Sequence, residues 1–412
     1  MNEPDRLPPF VFHSILIVIL AASLVAIFIT PPIHDEEMYH VPLARNISPG
    51  MTLSGQSSYS SAYPPLPYFF GNQVLRLFPS LESLRLLNLA IFLAAVFVFR
   101  SIAVRISYSP DFLTALFVLN PYLIKASFTY LMYNWGILFA LAGLYLYFFK
   151  PKHAMPPAHL LFGMAVLSQQ WLLAVVGAVL LHEVVGFSRK EISHVVFAKL
   201  VLQKALFLLP AAFLFWKWRG FVHPNFASHS LHPTFEHLNA VLATLGLALI
   251  CLVIAHWKRI LCLRNTVLIF LLPLLWVAIP EHSFAHGPSV MTGITSQLAV
   301  KLAVFTGIPY KITMFVFILG GLASLCILLS RKGQGFHQVM VYVLLGLVAA
   351  FTLSSRLAAS HIFICLPFVW LALSEEITGL GIARYPLLAQ FSLLSVTYWI
   401  YIVFFRSRGF MF

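Results

Sequence analysis

The fold is decided near the start of the chain, where residues 11–42 read VFHSILIVILAASLVAIFITPPIHDEEMYHVP. The stretch 11–30 contains no Asp, Glu, Lys or Arg, and about 20 apolar residues in helical form cross the hydrocarbon core of a bilayer. No small-residue cleavage site follows this stretch, so it predicts a retained membrane helix and not a removed signal peptide. Three consecutive acids, Asp35, Glu36 and Glu37, stand just beyond its end.

The composition of the whole chain agrees with this start. Of its 412 residues, 60% are hydrophobic and 9% are charged, whereas a soluble domain carries about 25% charged residues. Too few polar side chains exist to cover a soluble globule, so lipid must be the main solvent. The apolar stretches are continuous and not alternating, which favours helices over a β-barrel. The net charge of +13 is scattered in twos and threes between apolar stretches, which indicates topology signals and argues against a nucleic-acid partner.

Apolar segments recur along the chain and predict an all-α, polytopic transmembrane protein with about 11–13 spans. The segments are 11–30, 85–105, 110–127, 132–149, 158–170, 171–187, 194–215, 237–256, 265–280, 311–330, 337–355, 360–374 and 385–405. The short pair 158–170 and 171–187 forms either one long helix or a tight hairpin around Ser168, Gln169 and Gln170. We expect a single transmembrane domain over 1–412.

The basic residues predict the orientation of the spans. With a cytoplasmic N-terminus, the short basic turns at 188–190, 257–259 and 330–332 face the cytoplasm. The other side then receives a long first extracytoplasmic or lumenal loop, 31–84, and further outer loops at 216–236 and 281–310. Because loops on rigid scaffolds carry function, we expect the chemistry on the non-cytoplasmic face.

The acidic cluster is the strongest candidate for chemistry. The chain has only 13 acids, and three of them stand together beside a span. Neighbouring carboxylates suit a general base. The alternative is a solvated helix N-terminus, where acids complement the helix dipole. The scarcity of acids elsewhere and the membrane-edge position favour a functional site.

Two other stretches combine polar and aromatic residues on the same predicted face. The motif YPPLPY at 63–68 is a substrate contact or a rigid interfacial turn. In WKWRGFVHP at 216–224, the two cations and the tryptophans suit a phosphate group, or the stretch anchors the chain at the interface. The histidines that follow are irregularly spaced, which is weak evidence for a metal.

A fourth stretch, SSRLAASH at 354–361, contains an arginine between two apolar spans. The guanidinium of Arg356 matches a phosphate, and the alternative is an arginine that reaches the headgroup level without a ligand. Polar amides in apolar helices, such as Asn134 and Gln170, contact a substrate or bond to neighbouring helices.

The order of these motifs resembles a known superfamily. A first span followed by DExxYHxPxA at 35–44, then YPPLPY, then RLLN at 85–88, resembles the GT-C superfamily of membrane glycosyltransferases that use polyprenyl-phosphate sugars. The chain looks most similar to the dolichyl-phosphate-glucose-dependent α-1,2-glucosyltransferase family, which has a similar acidic pair followed by an aromatic residue, His, a branched residue and Pro. An arginine-bearing motif of that family corresponds loosely to 168–171, where this chain has no arginine.

The resemblance implies an inverting hexosyltransferase. It would move a hexose from dolichyl or undecaprenyl phosphate to a lipid-linked glycan or other acceptor, with Asp35 as the base and Glu36 in reserve. No cofactor is implied beyond the donor lipid, and no divalent metal is expected. The protein would lie in the bacterial inner membrane or the endoplasmic reticulum membrane, with a periplasmic or lumenal site. The expected substrate-binding residues are Glu37, Tyr39, His40, Tyr63, Tyr133, Asn134, Gln170, Arg219, His223, Arg356 and His361.

Two other classes compete with this interpretation. A transporter or flippase of lipid-linked or small solutes would have inverted repeats and broken helices near the midplane, and the sequence has no visible internal symmetry. A non-catalytic protein with the GT-C fold stays open because the arginine of the donor motif is missing.

Overall fold

The computed structural model describes residues 7–53, 59, 61–150, 154–225, 235–256, 276, 294–329, 335–353 and 359–405. Within these ranges the secondary structure is helical throughout, without strands. Eight of the described helices are long and apolar enough to cross a membrane, or nine if a pair bent by 112°, Pro121–Phe128 with Tyr133–Phe149, counts as one span. The predicted all-α, polytopic membrane architecture is therefore confirmed.

The chain divides into two compact units, Met1–Ser230 with Phe391–Phe412 and Leu231–Gln390. The single transmembrane domain over 1–412 stays a prediction. The first unit contains α1 (Pro9–Ile29), a π-helical turn (Glu36–His40), α2 (Val41–Asn46), α3 (Pro49–Leu53), α4 (Leu66–Leu77), α5 (Leu81–Ile106), α6 (Pro110–Val118), α7 (Pro121–Phe128), α8 (Tyr133–Phe149), α9 (Met155–Val166), α10 (Leu173–Ser188) and α11 (His194–Trp218).

The second unit is also built of helices. It contains α12 (Phe235–Ala255), α13 (Ile294–Thr306), α14 (Tyr310–Leu329), α15 (Phe336–Leu353), α16 (Ala359–Ala372), α17 (Ser374–Gly379) and the start of α18 (Tyr385–Ile400). Helices α12 and α14 pack very closely at Gly246. A Cβ atom added there would lie only 1.7 Å from the carbonyl oxygen of Phe317. Glycine here lets two helix backbones meet, as small residues do in membranes.

The described part holds fewer helices of spanning length than the 13 segments expected. The segment 110–127 is two short helices, because Asn120 caps α7 by accepting from the N–H groups of Tyr122 and Leu123 and Pro121 cannot continue α6. The pair 158–170 and 171–187 is two helices separated by a turn. Helix α13 lies inside the stretch 281–310 that we expected to be a loop. The segment 265–280 falls almost entirely outside the described residues.

The long loop 31–84 is largely helical and forms a cap on the first unit. Buried side chains of α2 and α4 pack against residues from α5, the turn before α8, and the end of α11. The members of this apolar cluster are Val41, Leu43, Ala44, Ile47, Tyr59, Tyr68, Leu75, Leu84, Tyr130, Met132, Leu214 and Trp218. Asn72 also ties α4 to α2, donating to the carbonyls of Ala44 at 2.9 Å and Arg45 at 3.1 Å. The acidic cluster therefore directly precedes a helix, α2, that is packed against the rest of the first unit.

Candidate active site

The acidic cluster begins a short helical segment just beyond the end of α1. Its first turn, Glu36–His40, is π-helical, and the N–H of Val41 donates to the carbonyl of Glu36 five residues back. Pro42 lacks an N–H group, which removes one α-helical bond at this point. Single π-helical turns occur often at functional sites. Asp35, which precedes this turn, is partly exposed, while Glu36 and His40 within it are buried.

Glu36 is held by a dense set of hydrogen bonds to its carboxylate. Arg85 at the start of α5 donates from Nε to Oε1 at 3.0 Å and from Nη2 to Oε2 at 2.7 Å. Backbone N–H groups of Ile33 and Tyr130 complete the shell, at 3.0 and 2.6 Å. Glu36 is fully buried and Arg85 is 1% exposed. A carboxylate with four donors on two oxygens is well suited to hold the local backbone in place.

Arg85 uses its whole guanidinium in this arrangement. Its Nη1 donates to the carbonyls of Ile27 and Thr30, at 3.0 and 2.7 Å, and its Nη2 also donates to Pro31 at 3.2 Å. With the two bonds to Glu36, all five N–H donors of the side chain are used. The end of α1, the acidic turn and the start of α5 are thereby joined, so Asp35 is presented by a rigid frame.

The break between α7 and α8 supplies the other side of this frame. Asn88 donates from Nδ2 to the carbonyls of Thr129 and Leu131, at 2.8 and 2.7 Å, and accepts from Trp135 at 2.8 Å. These bonds satisfy backbone groups that a broken helix leaves without partners, which is a requirement inside a membrane. The break exposes the N–H of Tyr130 to Glu36.

Asp35 faces a buried cation across this frame. The Nζ of Lys125 on α7 lies 4.0 Å from Oδ2 of Asp35, and the side chains are 5% and 36% exposed, respectively. A cation at this distance favours the charged form of a carboxylate. Asp35 is thus an accessible carboxylate, in contrast to the enclosed Glu36.

His40 and several tyrosines form a wall beside Asp35. The His40 Nδ1 lies 2.7 Å from the hydroxyl of Tyr68, and the two rings stack at 5.8 Å. Tyr63 contacts His40 at 6.3 Å between ring centroids and Tyr133 at 6.2 Å. Burial lowers the pKa of His40 to about 4, although the charges of Asp35 and Glu36 act in the opposite direction. His40 is therefore neutral at physiological pH.

Tyr63 responds to the same surroundings. Burial raises the pKa of Tyr63 well above its ordinary value, and neighbouring Tyr133, Tyr68 and the charge of Asp35 add to the shift. The hydroxyl of Tyr63 therefore remains protonated, and it shares a hydrogen bond with Tyr133. The structure brings together Asp35, His40, Tyr63 and Tyr133 among the residues expected to form the site.

His223 belongs to a second aromatic group in the same unit. Its ring lies 4.8 Å from Tyr59 and 5.5 Å from Trp218, and its Nδ1 accepts from the N–H of Asn225 at 3.3 Å. Burial lowers the pKa of His223. Among the described residues, its Nε2 is buried without a hydrogen-bond partner.

The other expected residues occupy varied positions. Glu37 and Tyr39 are exposed on the acidic turn. Asn134 is buried and donates to the carbonyl of Leu123 at 3.3 Å, and Gln170 donates to the carbonyl of Ala62 at 3.1 Å, next to Tyr63. Gln170 thus supports the backbone next to Tyr63, whereas Asn134 ties the start of α8 to α7.

Arg219 and two residues of the second unit complete the set. Arg219 is exposed and caps α11 in a left-handed conformation with a φ angle of 54°. His361 lies in the second unit, where its ring is 6.1 Å from that of Phe351. Arg356 lies outside the described residues. The roles expected for these three residues stay predictions.

Three important residues escaped the sequence reasoning. Arg85 entered the sequence analysis only as the first residue of the RLLN motif, although an arginine beside the apolar pattern of a span requires a partner. The same signal applied to Lys125, which stands between apolar residues of α7. Tyr68 lay inside a motif interpreted as interfacial, and only the fold shows its contact with His40, 28 residues away.

Comparisons with known proteins find similarity in fold only. No protein-family profile and no curated protein matches the chain. A crystal structure of ArnT from Cupriavidus metallidurans bound to undecaprenyl phosphate matches with 14% identity and a TM-score of 0.44, over 96% of this chain and 77% of that chain. ArnT in the apo state matches with 14% identity and a TM-score of 0.42, over 94% and 75%. At this identity, no residue of this chain takes a role from ArnT.

Proposed function

We propose that the protein is an inverting glycosyltransferase that moves a hexose from a polyprenyl phosphate to a lipid-linked glycan or other acceptor. The observation that carries this proposal is the pairing of an accessible carboxylate, Asp35, with a buried cation, Lys125, on a rigid frame. The DExxYHxPxA pattern and its resemblance to GT-C enzymes supply the substrate class.

Asp35 acts as the general base. The acceptor hydroxyl gives its proton to the Asp35 carboxylate while its oxygen forms a bond to the anomeric carbon. The bond from that carbon to the phosphate oxygen breaks, and the phosphate leaves with the electron pair, so the configuration inverts. The Nζ of Lys125 lies 4.0 Å from the Asp35 carboxylate and supplies an opposite charge beside it.

Glu36 has a different role in this mechanism. Its oxygens already accept four hydrogen bonds, so a proton from substrate would have to displace one of them. We therefore assign Glu36 to holding the turn and Asp35 to the proton transfer. His40 and the hydrogen-bonded pair Tyr63 and Tyr133 are the polar groups that face hydroxyl or phosphate oxygens of the substrates in this mechanism.

The test uses the purified full chain in lipid nanodiscs. Hexose transfer is measured with dolichyl- and undecaprenyl-phosphate-linked sugars, the latter carrier being the one seen with ArnT. We expect Asp35→Asn to lose at least 100-fold in turnover, a typical contribution of a general base, and to keep its thermal unfolding midpoint. Glu191→Gln is the matched carboxylate-to-amide control, since Glu191 is exposed between α10 and α11. Full activity in Asp35→Asn would refute the base assignment.

One observation favours a second candidate, a transporter. Within the spans of the first unit, Lys204 contacts Glu183, and Tyr147 donates to the same carboxylate oxygen at 2.6 Å. Ionisable residues inside spans often mark pathways for ions or solutes. If the wild-type protein transfers no sugar from any donor but moves a solute across vesicle membranes, and Glu183→Gln stops that flux, the transporter interpretation replaces the first one.

A further inference from the structure

A chain of hydrogen bonds connects the backbone near Tyr63 to the ring of His40. The N–H of Tyr63 donates to Oγ of Ser61 at 3.0 Å. Ser61 Oγ lies 2.8 Å from the hydroxyl of Tyr68, which lies 2.7 Å from Nδ1 of His40. Ser61 is 3% exposed, Tyr68 is fully buried and His40 is 7% exposed, so these groups have little access to water.

Counting donors decides the direction of this chain. Among the described residues, the Tyr68 oxygen is the acceptor within reach of the Ser61 hydroxyl hydrogen. If Ser61 donates to Tyr68, Tyr68 donates to Nδ1 of His40, and the donor left over is the Nε2–H of His40, which is not among the enclosed polar atoms that lack a partner. In the reverse direction His40 donates to Tyr68 and Tyr68 donates to Ser61. The buried Ser61 hydroxyl hydrogen is then left without an acceptor, which is costly.

The direction fixes the protonation of His40. When Nδ1 accepts a hydrogen bond, the proton of a neutral imidazole must be on Nε2, because the partner at one nitrogen determines the tautomer. Among the described residues, the hydrogen bond of the His40 ring lies at Nδ1, on the side away from Nε2. Tyr68 covers the Nδ1 edge of the ring, and Asp35 is the charge that acts most strongly on it.

We propose that Ser61 and Tyr68 are positioning residues that hold His40 as the Nε2–H tautomer, so that Nε2 donates to an oxygen of the donor substrate. The substrate part rests on the proposed function, whereas the tautomer is a property of the resting protein. A neutral donor beside Asp35 can bind a sugar hydroxyl or a phosphate oxygen without pairing with the base.

The tautomer can be measured without any substrate. The full chain, labelled with ¹³C and ¹⁵N in histidine, is reconstituted in lipid, and solid-state NMR distinguishes protonated from unprotonated ring nitrogens. The signal of His40 is the one that the His40→Asn variant lacks. We expect an unprotonated Nδ1 and a protonated Nε2 in the wild type. A proton on Nδ1, or on both nitrogens, overturns the proposal whether or not the protein transfers sugar.

Variants separate this positioning from a merely structural effect. Ser61→Ala and Tyr68→Phe should each give a mixture of tautomers, while Ser61→Thr, which retains the hydroxyl, should keep the single tautomer. Tyr108→Phe, at a residue that is 71% exposed, is the matched control and should leave the His40 signal unchanged. A single Nε2–H tautomer in both Ser61→Ala and Tyr68→Phe would show that the hydrogen bonds of Ser61 and Tyr68 do not set the tautomer of His40.

Two probes identify the oxygen that Nε2 meets. Undecaprenyl phosphate and free glucose are added separately to the labelled wild type, and the Nε2 shift is followed. A shift with undecaprenyl phosphate alone assigns a phosphate oxygen, and a shift with glucose alone assigns a sugar hydroxyl. If neither probe moves the Nε2 signal while the protein is active in transfer, the donor role of His40 is wrong.

Discussion

At the scale of single residues, the site depends on a division of work between two adjacent acids. Asp35 is accessible beside a cation, whereas Glu36 is enclosed by four donors. Asp35 stands just before the π-helical turn and Glu36 begins it, and adjacent residues of a helix point to different surroundings. Removing one partner of a buried ion pair strongly destabilises the folded protein, because the other charge stays buried without compensation.

Removing Arg85 should therefore destabilise the protein strongly. We expect Arg85→Met to lower the free energy of unfolding by about 3–5 kcal/mol, measured by thermal or denaturant unfolding in detergent micelles. Arg100→Met is the control, because Arg100 pairs with Asp111 at 2.9 Å while 46% exposed, and exposed pairs contribute about 0–1 kcal/mol. Equal losses in both variants would contradict the structural role of the Glu36–Arg85 pair.

The buried His40 should make stability depend on pH. Its ordinary pKa of 6.5 falls to about 4 in the folded protein, so the unfolded state binds more protons between these values. Stability should consequently fall as the pH drops from 6.5 to 4, by roughly 3 kcal/mol at most. His40→Asn, whose amide can still accept from Tyr68, should show a weaker pH dependence of the unfolding midpoint. Other histidines, including His223, contribute equally to the pH dependence of the wild type and of His40→Asn. The same pH dependence in both proteins would therefore contradict the burial of His40.

At the scale of elements, the cap helix α4 is fitted closely to the break between α7 and α8. A Cβ atom at Gly71 would lie 1.9 Å from the hydroxyl oxygen of Tyr130, and the N–H of Tyr130 bonds to Glu36. A side chain at position 71 would consequently disturb the frame of the acidic turn as well as the packing.

We expect Gly71→Ala to destabilise the protein by about 1–3 kcal/mol, as overpacking does, and to lower transfer activity. Gly177→Ala is the matched control, since no atom lies within 4 Å of a Cβ at that position of α10, and alanine favours a helix by up to about 1 kcal/mol. Thermal unfolding of both variants tests this fit. A Gly71→Ala protein as stable as Gly177→Ala would show that α4 can move away without cost.

These elements also show how far sequence reasoning reaches. The break at Asn120–Pro121 had a local signal, an N-cap residue followed by proline, which the continuous apolar run from 110 to 127 obscured. The π-helical turn had no comparable signal beyond Pro42. The partners of Glu36 are 49 and 94 residues away in sequence, so only the fold could reveal which acid is enclosed.

At the scale of the whole molecule, composition was sufficient for the architecture but not for the number of spans. A chain with 9% charged residues must be embedded in lipid, and its continuous apolar runs must be helices. Helices α9 and α16 are apolar but have only 12 and 14 residues, which is short of the roughly 20 residues that a span needs. Hydropathy alone does not separate such helices from full spans.

The orientation of the first unit is open to a direct test. Helix α10 begins just after Gln170, which contacts Ala62 in the cap, and its 16 residues extend about 24 Å to the basic turn that precedes Glu191. The cap and this turn therefore lie at opposite ends of a span, and the basic residues predict that the turn is cytoplasmic.

With the four native cysteines replaced by alanine, Met38→Cys should react with a membrane-impermeant maleimide from the outer side, and Glu191→Cys only after the membrane is permeabilised. Both positions are exposed, so a lack of reaction reflects sidedness and not burial. Labelling of both from the same side would contradict the predicted topology, because a cap and a turn separated by one span cannot share a face of the membrane.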